Sequence, residues 1–534
     1  MQAFSRRELL KHGSVAALAP QLSGRWSPAF AAEPDLFPIA ETATGKVRGV
    51  SFGGIIAFKG IPYGAPTGGK NRFKGPQPVV AWSGVRDGSG FGQISPQPPA
   101  NPGHQYEQII EWDKHPGGMG EDCLNLNIWT PGLDGAKRPV FVSFHGGGFS
   151  AGSSNGPQYH GDPLARYANA VVVTINHRLG AYGYLHLGDL GGDAFADSGN
   201  AGMLDLVASL EWVKDNIANF GGDPSTVMIF GQSGGGRKVS AVLAMPAAKG
   251  LFHRAASQSG AINTILTRDE ATANAQLLLQ ELGIGKDKVA DLQSVPLYDL
   301  LNAEIAVYKK KGSFAFEPVV DGKIFPRQPF EPAAPEWSND IPLILSSVLD
   351  EAALALENFD LDDAGLVNIV NKRYGADGPK ILDTFKKTYP NTTPFLLQAR
   401  IFSQFDQRAR VLRQADRKSA AGGAPCWVYR FDFPSPAYGG KFGTVHAIDT
   451  SLVFHNNLSD IAASPPPELL RLTDQLAATW VAFAKTGNPN NSLVPQWPAY
   501  ESTKRTTMLF DRMARAAEDP DRELRVLVDS SAKG

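Results

Sequence analysis

The sequence predicts an α/β fold built on a mostly parallel central sheet with helices on both faces, and three observations predict it. Val140-Phe141-Val142-Ser143-Phe144, Val171-Val172-Val173-Thr174-Ile175, Val227-Met228-Ile229-Phe230 and Pro342-Leu343-Ile344-Leu345 are short, nearly continuous apolar runs. That is the pattern of strands buried on both faces. Residues 202–218 keep Leu206, Leu210, Val213 and Ile217 at helical spacing, and parallel neighbours need such a crossover. Finally, the run ending at Phe230 leads straight into Gly231-Gln232-Ser233-Gly234-Gly235-Gly236, after which a helix can begin.

Taken in chain order, residues 1–31 stand apart from the rest. Arg6 and Arg7 precede a mildly apolar stretch over 15–20, and small residues occupy 29 and 31. This order predicts a twin-arginine signal peptide cleaved after Ala31, which places the mature protein in the periplasm or outside the cell. No later stretch reaches the ~18 apolar residues of a membrane span. Residues 32–534 read as a single catalytic domain. Its first part, 44–66, carries short β-type runs broken by glycine and ends in Gly60-Ile61-Pro62-Tyr63. Residues 268–310 and 355–420 are helical in pattern and predict insertions over the carboxyl edge of the sheet, where open α/β folds bind ligands.

Composition narrows the function. The chain is 43% hydrophobic and 19% charged with net charge -2, and no basic stripe or like-charge run suggests nucleic acid or an anionic membrane. A small-molecule partner is expected. Cys123 and Cys426 are the two cysteines; they lack metal-site spacing, there is no HExxH, and at most one disulfide can form. No metal and no cofactor are expected.

The chemistry centres on Ser233. In G-x-S-x-G the serine sits on a tight, strained strand-to-helix turn that leaves no room for side chains two residues away. The same glycines fit the frame of a phosphate-binding loop, but Arg237 and Lys238 replace its lysine and hydroxyl residue, so nucleotide binding fails on chemistry. In α/β-hydrolases an acid and then a histidine follow the nucleophile. His253 comes too soon for a strand bearing the acid to intervene. His446, in a glycine-rich loop, is favoured over His455, which ends an apolar run. Asp350 and Glu351 both follow a strand-like run and either can be the acid, with Asp449 as a third choice. His145-Gly146-Gly147-Gly148-Phe149 follows a strand and suits an oxyanion hole, because consecutive glycines let substrate oxygen approach the backbone.

With these residues in place, the chain resembles the type B carboxylesterases, the family that includes the cholinesterases. The resemblance runs through Gly60-Ile61-Pro62-Tyr63, Glu121-Asp122-Cys123-Leu124-Asn125-Leu126-Asn127, the HGGGF loop, Asn176-His177-Arg178-Leu179-Gly180, Phe220-Gly221-Gly222-Asp223-Pro224, residues 252–260 and Phe483-Ala484-Lys485-Thr486-Gly487-Asn488-Pro489. It implies a Ser233–Glu351–His446 triad, oxyanion donors at Gly147, Gly148 and Gly234, and hydrolysis of small-molecule esters through an acyl-enzyme without a cofactor. A lipase or a specialised detoxifying esterase is the alternative; a non-catalytic binding relative would be expected to lack a triad member. Three departures stand out. The family's usual GESAG reads GQSGG here, no cysteine precedes Cys123 to make the family's usual pair, and Arg237 and Lys238 replace small residues or serine. The two cations are expected to pair with nearby acids.

The signal reading is checked by amino-terminal sequencing of the native protein. The expected start is near Ala32, with export lost when Arg6 and Arg7 are replaced by lysine. A soluble enzyme that retains residues 5–20 overturns it.

Overall fold

Alternating apolar residues along adjacent strands bury both faces of one large sheet. The computed structural model describes residues 35–531 apart from 102, 457–459 and 463; the expected signal at 1–31 lies outside the described residues. In chain order the sheet strands are β1 (Val50–Phe52), β2 (Ile55–Pro62), β3 (Asn125–Thr130), β4 (Arg138–Phe144), β5 (Val171–Ile175), β6 (Gly222–Gln232), β7 (Arg254–Gln258), β8 (Leu343–Val348), β9 (Cys426–Phe431), β10 (Thr506–Phe510) and β11 (Arg515–Glu518). They lie in the order β1-β2-β3-β5-β4-β6-β7-β8-β9-β10-β11. Every pairing from β5 through to β10 is parallel. Antiparallel pairing is confined to the two margins. A separate three-stranded sheet pairs Ile39–Thr42, Gly45–Arg48 and Val85–Asp87.

The helices that matter for the site are α1 (Asp162–Ala168), α2 (Ala201–Asn216), α3 (Gly234–Leu243), α4 (Arg268–Glu281), α5 (Leu297–Lys311), α6 (Asp363–Tyr374), α7 (Gly378–Thr388), α8 (Pro394–Ser403), α9 (Ala409–Ala420) and α10 (Pro467–Thr486). On one face Val140, Val142, Val171, Val173, Val227 and Ile229 share a core with α2, α3 and α9. Phe141, Val172, Met228 and Phe230 project to the other and share a core with α1 and α10. Period-two alternation between two helical layers explains why these strands read as unbroken apolar runs.

The two helical stretches differ in how they pack. Helices α4 and α5 span 268–311, and α6 to α8 share a small core with the helix Arg522–Ser531, containing Leu366, Val370, Phe385, Leu397, Ile401, Leu524 and Leu527. Helix α9 differs. It packs directly on β8 and β9, with Val411, Leu412 and Ala415 in the core under the sheet, so it is the crossover between β8 and β9 rather than part of an insertion. Helical periodicity is the same in either role, which is why sequence did not part them.

Loop Asn176–Gly180, after β5, is anchored by an ion pair away from water. Arg178 donates to Asp205 of α2 through Nε at 2.8 Å and Nη2 at 2.5 Å, and through Nη1 to the Lys74 carbonyl at 2.6 Å. Both side chains are buried. Cys123 and Cys426 are free and buried, and burial pushes both thiols up to about 12.

Asp205→Ala is expected to cost about 3–5 kcal/mol of stability, because it leaves the Arg178 charge buried without a partner. Chemical denaturation measures this, and a loss below about 1 kcal/mol would contradict it.

Candidate active site

The strand order reverses once, between β4 and β6: the chain passes from β4 outward to β5 and then returns to the far side of β4. A crevice opens at the carboxyl ends of strands at such a reversal. The loop His145–Phe149 leaves β4 here, and Ser233 leaves β6 beside it. Ser233 has φ 56° and ψ -122°, a conformation a serine holds only when its surroundings impose it, at a cost of order 1–3 kcal/mol. Its N–H donates to the Gln258 carbonyl at 2.8 Å, and its own carbonyl accepts from Arg237 N at 2.9 Å. The motif glycines make this geometry possible. A Cβ on Gly235 would lie 2.0 Å from the Phe144 carbonyl oxygen.

Glu351 sits in the short turn after β8. One carboxylate oxygen accepts from Val348 N at 2.8 Å, and the other is hydrogen-bonded to His446 Nδ1. The neighbouring Asp350 turns elsewhere, accepting from Arg400 Nε at 2.9 Å and Thr444 N at 2.8 Å. Of the two candidate acids, Glu351 meets the imidazole, while Asp350 ties down the loop that carries it. Asp449 accepts from Tyr429 Oη at 2.6 Å, and burial raises its carboxyl. His455 pairs with Asp474 at 2.9 Å and stacks on Tyr167. His253 accepts from Val227 N within β6, remote from the turn.

Two contacts on His446 had no signal in the sequence. Tyr106 Oη donates to its carbonyl at 3.2 Å, and Gln232 Nε2 lies 3.1 Å from its Nε2. With Nδ1–H directed at Glu351, Nε2 carries the lone pair and accepts the Gln232 amide. Both residues reach His446 across more than 200 positions of chain, a pairing that no local pattern encodes.

The glycine amides are aimed by the opposite edges of their peptides. In a trans peptide C=O and N–H point in opposite directions, so fixing one fixes the other. The Gly146 carbonyl bonds to His145 Nδ1 at 2.8 Å, which orients the Gly147 N–H. The Gly147 carbonyl accepts from Ala151 N at 3.0 Å, orienting the Gly148 N–H. The Ser233 carbonyl, held by Arg237 N, orients the Gly234 N–H in the same way. His145 donates from Nδ1 as a neutral ring: burial, with Lys238 and His177 alongside, holds its imidazole well below the usual histidine range.

Gly146, Gly147, Gly148, Gln232, Ser233 and His446 line one cavity of about 440 Å³. Tyr106, Trp112, Phe314 and Leu354 supply apolar walls, and Arg237, Asp406 and Arg410 a polar side. Arg237 pairs with Glu317 at 2.8 Å and lies over the rings of Phe149 and Phe314. Lys238 departs from the expected acid pairing. It is wholly buried, and its Nζ donates to the His145 carbonyl at 2.9 Å. The arrangement can take a proton from a hydroxyl at a carboxylate-backed imidazole and hold an oxyanion on oriented amides. Among the described residues no group of three or more His, Cys, Asp or Glu is placed to hold a metal ion, and no helix is long and apolar enough to cross a membrane.

Residues 37–526 match the model described as the carboxylesterase family. The para-nitrobenzyl esterase of Bacillus subtilis is 35% identical over 91% of this chain and 97% of its own. The phenmedipham hydrolase of Pseudarthrobacter oxydans is 33% identical over 90% and 97%. Among solved structures, a Geobacillus stearothermophilus carboxylesterase superposes with a TM-score of 0.79 at 34% identity, covering 92% of this chain and 99% of that one.

Gly234 and Gly148 are in closer contact than any side chain allows: a Cβ on Gly234 would lie 2.2 Å from Gly148 N and 2.3 Å from its carbonyl oxygen. Gly234→Ala is therefore expected to displace the Gly148 amide and lower kcat roughly 10²-fold, although alanine is the family's usual residue there. Wild-type kcat in steady-state assays would refute the contact argument.

Proposed function

Because the chain belongs to the carboxylesterase family, serine hydrolases of carboxylic esters, we propose that Ser233, His446 and Glu351 are its nucleophile, base and acid, with Gly147, Gly148 and Gly234 as oxyanion donors. The observation that carries this reading is the meeting, in one cavity, of a serine on a strained turn and an imidazole hydrogen-bonded to a carboxylate. The cavity is of a size that suits a small-molecule ester.

The reaction begins as His446 Nε2 takes the Ser233 hydroxyl proton and Oγ bonds to the ester carbonyl carbon. Gln232 must yield its contact with Nε2 for this to happen. The carbonyl oxygen becomes an oxyanion held by the glycine N–H groups. Glu351 stabilises the imidazolium without accepting its proton. As the C–O bond to the alcohol breaks, His446 returns the proton to the leaving oxygen. Water then attacks the acyl-enzyme, giving a proton to His446, and the carboxylic acid leaves as that proton passes back to Ser233. We also propose export to the periplasm or medium, on the strength of Arg6, Arg7 and the small residues at 29 and 31.

Ser233→Ala and His446→Ala are each expected to lower kcat by about 10⁴ to 10⁶ with the fold retained, while His455→Ala leaves it near wild type. Steady-state hydrolysis of a chromogenic ester reads all three. A fluorophosphonate probe should label wild type at Ser233, and labelling at another serine would overturn the assignment.

A further inference from the structure

The reaction as described makes no use of Lys238, although it stands five residues after Ser233 on α3 and is 0% exposed. Burial, and then the charge of Arg237, hold its amine well below the usual lysine range, and no carboxylate offsets them. Placing an amine in such a site is costly. Methionine would fill a similar volume without that cost, so packing alone does not account for a lysine. The amine donates to the His145 carbonyl oxygen, at 2.9 Å.

That carbonyl belongs to the peptide joining His145 to Gly146, whose other edge is the Gly146 N–H. Tyr159 Oη accepts from this N–H at 2.8 Å. One peptide plane is thus gripped on both edges, by Lys238 from α3 and by Tyr159 from the loop ahead of α1. It is the plane from which the oxyanion loop departs. Turning it carries the His145 ring with it, and the ring's Nδ1 holds the Gly146 carbonyl behind the Gly147 amide. Lys238 also binds the loop to the helix that begins at the nucleophile. The Gly234–Gly148 contact leaves no slack between the same two segments.

We propose that Lys238 is a positioning residue for the oxyanion hole, setting the direction of the Gly147 amide through the His145 carbonyl and tying the loop that carries the Gly148 amide to the helix that begins at Ser233. This rests on the roles of Ser233 and of those amides proposed above. The oxyanion exists only from the tetrahedral stage onward, so a misaimed amide weakens the transition state more than the bound ester.

Lys238→Met is the first test. It is expected to lower kcat by about 10- to 100-fold with KM within about twofold, less than the ~10²–10³ lost when an oxyanion donor is removed outright. A trifluoromethyl ketone, which forms a hemiketal oxyanion on the nucleophilic serine, should lose affinity by the same factor as kcat/KM. The fluorophosphonate probe should still label Ser233, slowly and at one per chain. Tyr159→Phe loosens the other edge of the same peptide and should give the same signature, and the double variant should lose less than the product of the two. Tyr159→Phe also decides the matter if Lys238→Met does not fold. Wild-type kcat and ketone affinity in either folded variant overturn the proposal, as does a rise in KM with kcat unchanged. Labelling at a serine other than Ser233 overturns the nucleophile assignment and this inference with it.

Discussion

Parallel strands from β5 to β10 send their carboxyl ends to a single edge of the sheet, and their order reverses once, between β4 and β6. That reversal brings the loop after β4 and the turn after β6 side by side, and the rest of the site is arranged about this pair. Glu351 arrives from the turn after β8, and His446 from the loop after β9. Glu351 is held directly at a strand end, whereas His446, well beyond the end of β9, is brought to it by a loop that Asp350 ties down through Thr444 and a bridge to Val445.

Backbone, more than side chains, holds the reacting geometry. Each proposed oxyanion N–H is the far edge of a peptide whose carbonyl is bonded: to the His145 ring, to Ala151 N, and to Arg237 N. Preorganisation of this kind means that the donors do not reorient as charge develops, which is the source of most of an oxyanion hole's worth. Strain at Ser233 is borne by the same construction, since its N–H and carbonyl are both engaged and Gly235 admits the Phe144 carbonyl. Arg237 and Lys238, adjacent in sequence, part company on α3. One faces the cavity with Glu317 and two aromatic rings, and the other turns inward to the backbone of the loop.

Strands with branched, apolar residues were legible as such, and β7, β9 and β10 were less so. Arg254-Ala-Ala-Ser-Gln258 is too small and polar to read as a buried strand, yet it lies between β6 and β8 with Ala255 to Gln258 buried. Residue pattern left the choice among acids open, and only the family resemblance pointed to Glu351. Asp350 and Glu351 are neighbours on the same strand end, and one residue of displacement along the turn decides which carboxylate meets His446 and which meets Arg400.

By itself the sequence determined the parallel sheet with two-sided helical cover, the serine turn and the glycine loop. Each of these is a local pattern of apolar periodicity or of residues without side chains, and local sterics suffice to specify it. Residue pattern alone left Glu351, Asp350 and Asp449 open as partners of His446 until the resemblance favoured Glu351, and only the tertiary structure decided that α9 belongs to the sheet, that Gln232 and Tyr106 reach the histidine, and that Lys238 serves a carbonyl instead of an acid. Those outcomes depend on contacts between segments far apart in the chain, where distance and direction are set by how strands order and helices pack, and no spacing along the sequence carries that information.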